Sequence, residues 1–286
     1  MTNTEKYIDL HTHSVMSDGS MTPAEIVRHA KAQGLAAVAL TDHDSIDGVK
    51  EAMAEGERIG IEVVPAIEFS VKARTETHIL GYFIDIENPD MLAALEIIRQ
   101  VRKQRTVETC QKLNELGFDV TVEEALAIAP AGIVGRAHFA KLLADKGYTS
   151  SVKEGFELYL NNGKPAYSSM QFLSRIDAVK LIKKAGGLSF VAHLHLCRFD
   201  DDHLIKFLAQ LRWNGLDGIE GYYTDYTPEL QEKYFGMAKL LSLAISGGTD
   251  FHAEMKPHIQ IGTGLGNMKI PYSVLEDMKA LLNSKK

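Results

Sequence analysis

The 286-residue chain is poor in cysteine and tryptophan, has no long apolar run and carries no excess of positive charge. Its two cysteines, Cys110 and Cys197, have no partners at CxxC spacing. A disulfide framework is therefore not expected, and both read as small buried hydrophobes in a reducing cytosol. No stretch approaches the roughly 18 apolar residues of a membrane span. The opening Met-Thr-Asn-Thr-Glu-Lys lacks the apolar core of a signal peptide, so the expected location is cytoplasmic. With 31 Lys+Arg against 38 Asp+Glu, the net charge is −7. That balance, without a basic stripe, argues against binding to duplex DNA. It leaves room for a local basic pocket. What remains is ordinary globular composition, 45% apolar and 24% charged, enough for a large core without cross-links.

Apolar runs alternate with helical patterns from the start. Strands are predicted at 7–10, 35–40, 61–67 and 77–84. Between them, Thr22-Pro23-Ala24-Glu25 opens a helix with a capping box and a proline at the first helical position. A second helix is predicted over 45–59. This rhythm argues for a parallel sheet or barrel. From Asn88-Pro89 to about residue 186 only helical periodicity appears: helices are predicted over 89–116, after Thr121, over 138–146, over 152–160 and after Ser174. Strands resume at 188–192, 216–220 and 243–246. The economical reading is one α/β scaffold, 1–99 and 171–286, with a helical insertion at 100–170.

Chemistry-bearing residues gather where strands end. His11 and His13 stand two apart as the first strand finishes, and period two sends both imidazoles to one side, where they can share a metal. Asp18 follows in a Ser-Asp-Gly turn. His43 lies between Asp42 and Asp44 after the second strand; these two carboxylates either orient the imidazole or cap the following helix. Glu68 ends the third strand inside an apolar run, His78 opens the fourth, His193 follows the strand after the insertion, and Asp250 and His252 follow the last. A lone histidine beside a strand is usually structural. Nine ligand-type side chains at strand boundaries of one α/β scaffold instead point to a polynuclear metal site at a barrel mouth. Mixed imidazole and carboxylate donors suit Mn, Zn or Fe better than Mg alone, and two or three divalent ions are expected. A structural zinc site would be closed and cysteine-rich.

HTHSVMSDG, TDHDSIDG, IEFS, HILGY, VAH and SGGTDFHA together resemble the successive motifs of the PHP (polymerase and histidinol phosphatase) superfamily. The similarity is greatest to its stand-alone phosphoesterases, which include nucleoside 3′,5′-bisphosphate phosphatases and a 5′→3′ exoribonuclease. The resemblance implies a distorted (β/α)7 barrel binding up to three metals. It places His11, His13, Glu68 and Asp250 around one metal. Glu68 then bridges to a second, held also by His78 and His193, and Asp18, His43 and His252 hold the third. Glu68 and Asp250 are the carboxylates on which turnover is expected to depend. The family commonly has proline after the fifth-motif histidine, where this chain reads His193-Leu194-His195. His195 is either structural or a participant in proton transfer.

In the insertion, Gly135-Arg136-Ala137-His138 places an arginine suited to bidentate phosphate binding at a helix start, where backbone N–H groups are free for an anion. A plain helix start is the competing reading, and a similar segment in the phosphoesterase branch favours the functional one. Lys164, in Asn-Gly-Lys-Pro, is a further candidate for the anion pocket. Arg102 and Arg105 are three apart on the long helix and share a face turned to substrate or, alternatively, to solvent. The expected activity is metal-dependent hydrolysis of a nucleoside 3′,5′-bisphosphate or a short 5′-phosphorylated RNA, with no membrane partner. A histidinol-phosphate-type monoesterase and a non-catalytic binding module are the alternatives. Gly262-Thr-Gly264-Leu-Gly266 does not sit between strand and helix and is no dinucleotide loop. His29, His203 and His258 lie away from the strand ends.

Overall fold

Cap and turn chemistry sets the strand–helix rhythm of the first half of the barrel. A computed structural model describes residues 5–73, 75–129, 131, 133–168, 173–266 and 268–285. After β1 (Tyr7–Thr12), α1 (Pro23–Ala32) begins at Thr22, whose side chain accepts from the Glu25 N–H while the Glu25 carboxylate accepts from the Thr22 N–H. Pro23 supplies a preset φ where no N–H is needed. β2 (Ala37–Leu40) is followed by α2 (Val49–Ile59) and β3 (Glu62–Ser70). The second helix starts later than the expected residue 45, because the side chains of Asp42 and Asp44 are engaged elsewhere and cap nothing.

β1, β2 and β3 pair in parallel. β4 (His78–Tyr82) is antiparallel to both β3 and β5 (Leu188–Val191), which corrects the expectation of a parallel sheet throughout. Only residues 71–77 join β3 to β4. That is too short for a crossover helix, so the chain doubles back. β5, β6 (Gly218–Tyr223) and β7 (Ala244–Gly248) are parallel again, separated by α8 (Asp201–Trp213) and α9 (Pro228–Leu241). A two-residue β8 (Ile270–Pro271), unforeseen in the sequence, pairs antiparallel with β1 and leads to α10 (Ser273–Asn283). The strand order is β7-β6-β5-β4-β3-β2-β1-β8. Phe251, just beyond β7, bridges to Thr12, and the His13 N–H donates to the Phe251 carbonyl at 2.8 Å. This contact nearly closes the mixed sheet into a barrel.

Alternation along the strands separates two faces. Val64, Ala66, Leu80, Tyr82 and Phe190 form one apolar cluster with Ala37 and Ala39. The intervening Val38 and Leu40 pack with α1 and α2 residues, and Ile67, Phe69, Ile79 and Val191 pack with residues of the other flanking helices. Glu68 shares its parity with Val64 and Ala66 and is completely buried. The sequence thus places a carboxylate where the sheet otherwise holds hydrocarbon, which is costly without cationic partners.

The helical stretch between β4 and β5, which contains the expected insertion at 100–170, opens with α3 (Pro89–Glu115), capped by the Asn88 side chain on the Met91 N–H. It continues through α4 (Val122–Ala127), α5 (Arg136–Asp145), α6 (Val152–Gly155) and a π-turn at Phe156–Leu160, where a single helix was expected. It has its own apolar cluster, built on Cys110, Leu113, Phe139, Leu143 and Leu160. The expected return to the barrel at 170/171 lies outside the described residues. α7 (Arg175–Lys184), capped by Ser174, then leads into β5. Among the described residues no helix is long and apolar enough to cross a membrane.

Candidate active site

The ends of β1, β2, β3, β4, β5 and β7 bring all nine expected ligand side chains to one place. Glu68 is its centre, and its two carboxylate oxygens face different histidines. Oε2 lies 3.4 Å from His11 Nε2, 3.3 Å from His13 Nε2 and 3.0 Å from His43 Nδ1. Oε1 lies 2.9 Å from His78 Nδ1 and 3.0 Å from His193 Nε2. Asp250 Oδ1 completes the first group, at 3.5 Å from His11 Nε2 and 3.2 Å from His13 Nε2. Asp18 Oδ1 lies 3.2 Å from His252 Nε2 and 3.9 Å from both His43 Nε2 and His13 Nδ1. Three sets of ligand atoms are close enough to share an ion: His11, His13 and Asp250; His43, Glu68 and His78; and His13, Asp18, His43 and His252.

The donor chemistry fits divalent metal. His11 Nε2, His13 Nε2, His43 Nδ1 and Glu68 Oε2 are all buried and without a hydrogen-bond partner, yet they point at one another. Buried polar atoms are normally satisfied, so four orphans facing one another suit a shared cation. Charge tells the same story. Burial alone would raise the pKa of Glu68, but His43, His78 and His11 hold it well below the usual carboxylate range. Asp18 is likewise held low against burial, by His43 and His252, and Asp250 by Lys256, His252 and His11. In return, carboxylates outweigh burial at three imidazoles. His11 is raised well above its ordinary value by Glu220, Glu68 and Asp250, His13 is pushed up to about 9, and His193 is also raised. These shifts favour positive charge at the rings, the role a bound cation would fill.

Local backbone geometry serves this convergence. The β1–β2 register shifts between Asp9 and Thr12, a bulge that re-aims side chains beside a site. Gly248 ends β7 against His11, where a Cβ would overlap the His11 backbone. Asp44, His193 and Asp250 all adopt positive φ, of 52°, 26° and 57°, conformations that non-glycine residues hold only under constraint.

The site opens into a cavity of about 1330 Å³ between barrel and insertion, lined by Arg102, Arg105, Arg136 and Lys164 together with Arg175 and Arg198. Arg136 pairs with Glu76 at 3.2 Å, and its guanidinium lies over the Phe156 ring. Arg105 makes no ion pair among the described residues; burial and the neighbouring Arg102 and Arg136 lower its pKa to about 9. An arginine without an ion-pair partner among the described residues, crowded by other cations in a cavity, suits an anion.

Arg102, Gly135, His138 and His195 are placed differently from the sequence expectation. Arg102 lines the cavity but is spent on the buried Asp44 carboxylate, donating from Nε at 3.0 Å and from its terminal nitrogen. Gly135 does not offer a free N–H, because it donates to His138 Nδ1 at 2.9 Å. His138 is itself buried as this cap and is not part of the cavity wall. His195 is also off that wall, its ring between Tyr223 and Tyr226. Asp42 holds the loop after β1 through Ser14 and Ser17.

Several functional neighbours escaped the sequence reading. Tyr223 Oη donates to Asp250 Oδ2 at 2.9 Å, and Lys256 Nζ donates to the same oxygen at 2.7 Å. Glu220, completely buried on β6, accepts from the His11 ring and the His193 backbone. Glu220 and Tyr223 lie in Gly-Ile-Glu-Gly-Tyr-Tyr, where an acid inside an apolar strand repeats the Glu68 signal and was available to be read.

Comparison with known proteins places these observations in context. A family model described as PHP domain matches residues 9–261. The chain is 34% identical over 250 residues to the 5′-3′ exoribonuclease of Haemophilus influenzae, covering 87% of this chain and 90% of that protein. It is 35% identical over 248 residues to the 3′,5′-nucleoside bisphosphate phosphatase of Chromobacterium violaceum, covering 86% and 87%. Among solved structures, an amidohydrolase from Chromobacterium violaceum, with bound sulfate and no metal, is similar with a TM-score of 0.87 at 33% identity, over 96% of both chains.

Proposed function

The chain belongs to the PHP domain family and is a metal-dependent phosphoesterase, and from that premise we propose that it hydrolyses a nucleotide phosphate ester while gripping a second phosphate that is not cleaved. The observation that carries this reading is Glu68, whose two oxygens serve two separate sets of imidazoles, as a carboxylate bridging two ions would. His11, His13, Glu68 and Asp250 would hold one ion, Glu68, His78 and His193 a second, and Asp18, His43 and His252 a third. Manganese suits the mixed donors best, with zinc or iron as alternatives. When bound, such ions supply the Lewis acidity that activates water at neutral pH and offsets charge on the phosphoryl oxygens.

The chain's own residues do the rest. Lys256 and Tyr223 hold Asp250 by one oxygen and leave the other aimed at His11 and His13. Arg105 and Arg136, with Lys164 at the rim, would take the uncleaved phosphate; residues 100–170 therefore act as the substrate-binding insertion. A nucleoside 3′,5′-bisphosphate and a short 5′-phosphorylated RNA both present a scissile ester beside a second phosphate, and the relatives bearing these two activities support both. The working compartment we assign is the cytoplasm, on the two buried free thiols. The test is a substrate panel with Mn²⁺ and with chelator: nucleoside 3′,5′-bisphosphates, short 5′-phosphorylated RNAs, histidinol phosphate and plain mononucleotides. Metal-dependent turnover should favour the first two. Equal or better turnover of histidinol phosphate would refute the second-phosphate reading.

A further inference from the structure

We propose that Glu220 is a positioning residue that sets two metal-facing imidazoles at once, one on β1 and one beyond β5. This rests on the reading of His11 and His193 as ligands. Glu220 is fully buried on β6, between those strands' ends. Its Oε1 accepts from His11 Nδ1 at 2.7 Å, and its Oε2 accepts from the His193 backbone N–H at 2.7 Å.

The first contact decides a tautomer. A carboxylate accepts only, so His11 must carry its proton on Nδ1, and Nε2 is the atom left toward Glu68 and Asp250. It also fixes the ring plane and raises its basicity as a donor. The second contact decides a backbone. His193 sits at φ 26°, ψ 62°, a strained conformation that persists only where surroundings impose it. The Glu220 carboxylate imposes it from the amide side, and the Tyr226 hydroxyl, accepting the Leu194 N–H at 2.7 Å, secures the next residue. Through this turn His193 Nε2 reaches Glu68 Oε1. One side chain therefore ties the two sets of imidazoles on either side of Glu68 to a common anchor.

The experiment titrates Mn²⁺ calorimetrically into chelator-stripped protein carrying Glu220→Gln, Glu220→Asp or His11→Ala, and records the melting temperature of each metal-free form. Glutamine offers one acceptor oxygen to two donors, and aspartate keeps both oxygens but withdraws them by a methylene. Each should weaken Mn²⁺ binding about 10- to 100-fold, with the metal-free melting temperature close to native in at least the aspartate variant, and kcat should fall more than KM rises. Native Mn²⁺ affinity in both Glu220 variants, with loss in His11→Ala, would overturn the positioning role and leave the ligand reading standing. Native affinity in His11→Ala would overturn the ligand reading itself. A lowered melting temperature with native affinity in the folded Glu220 variants would reduce the residue to a core acid and also overturn the proposal.

Discussion

The Arg102–Asp44 pair invites a quantitative test because the sequence turned Arg102 to substrate or to solvent and the structure spends it on the fold. Asp44 immediately follows His43, adopts φ 52°, and has a fully buried side chain; Arg102 reaches it from α3 and is 5% exposed. Removing the arginine as Arg102→Met leaves hydrocarbon on the buried stripe of the helix and strands the carboxylate. Breaking a buried pair from one side costs about 3–5 kcal/mol. Asp44 keeps one compensation, the Ser70 N–H at 3.0 Å on its other oxygen, so the lower end, about 3 kcal/mol, is expected. For a chain of this size that corresponds to a drop of about 6–12 °C in melting temperature. Asp44→Asn tests the other partner without disturbing the backbone, since asparagine tolerates positive φ. The double variant should recover part of the loss, with a coupling of about 2 kcal/mol in the thermal cycle. The assay is differential scanning calorimetry alongside kcat/KM on a nucleoside bisphosphate. A melting temperature within about 2 °C of native together with a large fall in kcat/KM would refute the clamp, because a buried pair cannot be silent in stability.

The anchor for the uncleaved phosphate makes a separate prediction. Charge-assisted contacts are worth about 1.5–3 kcal/mol, so Arg136→Ala should lower kcat/KM on a nucleoside bisphosphate by roughly 10- to 150-fold and much less on an aryl phosphate. Equal losses on both would move Arg136 to the scissile phosphate or to folding. His138 supplies a pH prediction: burial, reinforced by Arg102 and opposed by Asp18, lowers its pKa below the ordinary 6.5. The folded state therefore resists a proton that the unfolded chain accepts, and the stability this histidine contributes is present above pH 6.5 and lost as pH falls below it. The melting-temperature gap between native and His138→Asn protein should narrow on acidification from neutrality; a constant gap would contradict this.

The convergence of the nine ligand-type side chains was legible because the required signals are local. A histidine or acid at the end of an apolar run announces itself, and period two put His11 and His13 on one target. Topology was less legible at β4, because direction depends on connection length rather than on strand composition, and the short 71–77 link reverses it. Arg102 of α3 shows a different limit. Met91, Leu95, Ile98, Arg102, Thr106, Thr109 and Leu113 are all buried, at spacings of three and four that trace one helical stripe. Arg102 occupies a core position of that stripe, so its neighbours already placed it inside, facing a buried acid. Its charge suggested substrate or solvent and concealed this. His138 is similar: at the third helical position it accepts from the N–H of the capping residue Gly135, a role that needs no ligand.

The contacts around the ligands form a connected set rather than separate supports. His252 Nδ1 donates to the Asp250 carbonyl at 2.8 Å, which leaves Nε2 for Asp18. Asp250 is fixed by Tyr223 and Lys256, and the turn carrying His43 is fixed by Arg102 through Asp44. Such ligands pay little ordering entropy on binding an ion, which is how a rigid scaffold gains affinity without extra donors. The last of these supports comes from the insertion, and Arg105 lies one turn further along the same helix. A shift of α3 would move Arg105 and the turn of His43 together. On the proposed roles of Arg105 and His43, α3 would link substrate grip to metal geometry, and the Arg102–Asp44 pair would be the contact that carries the link.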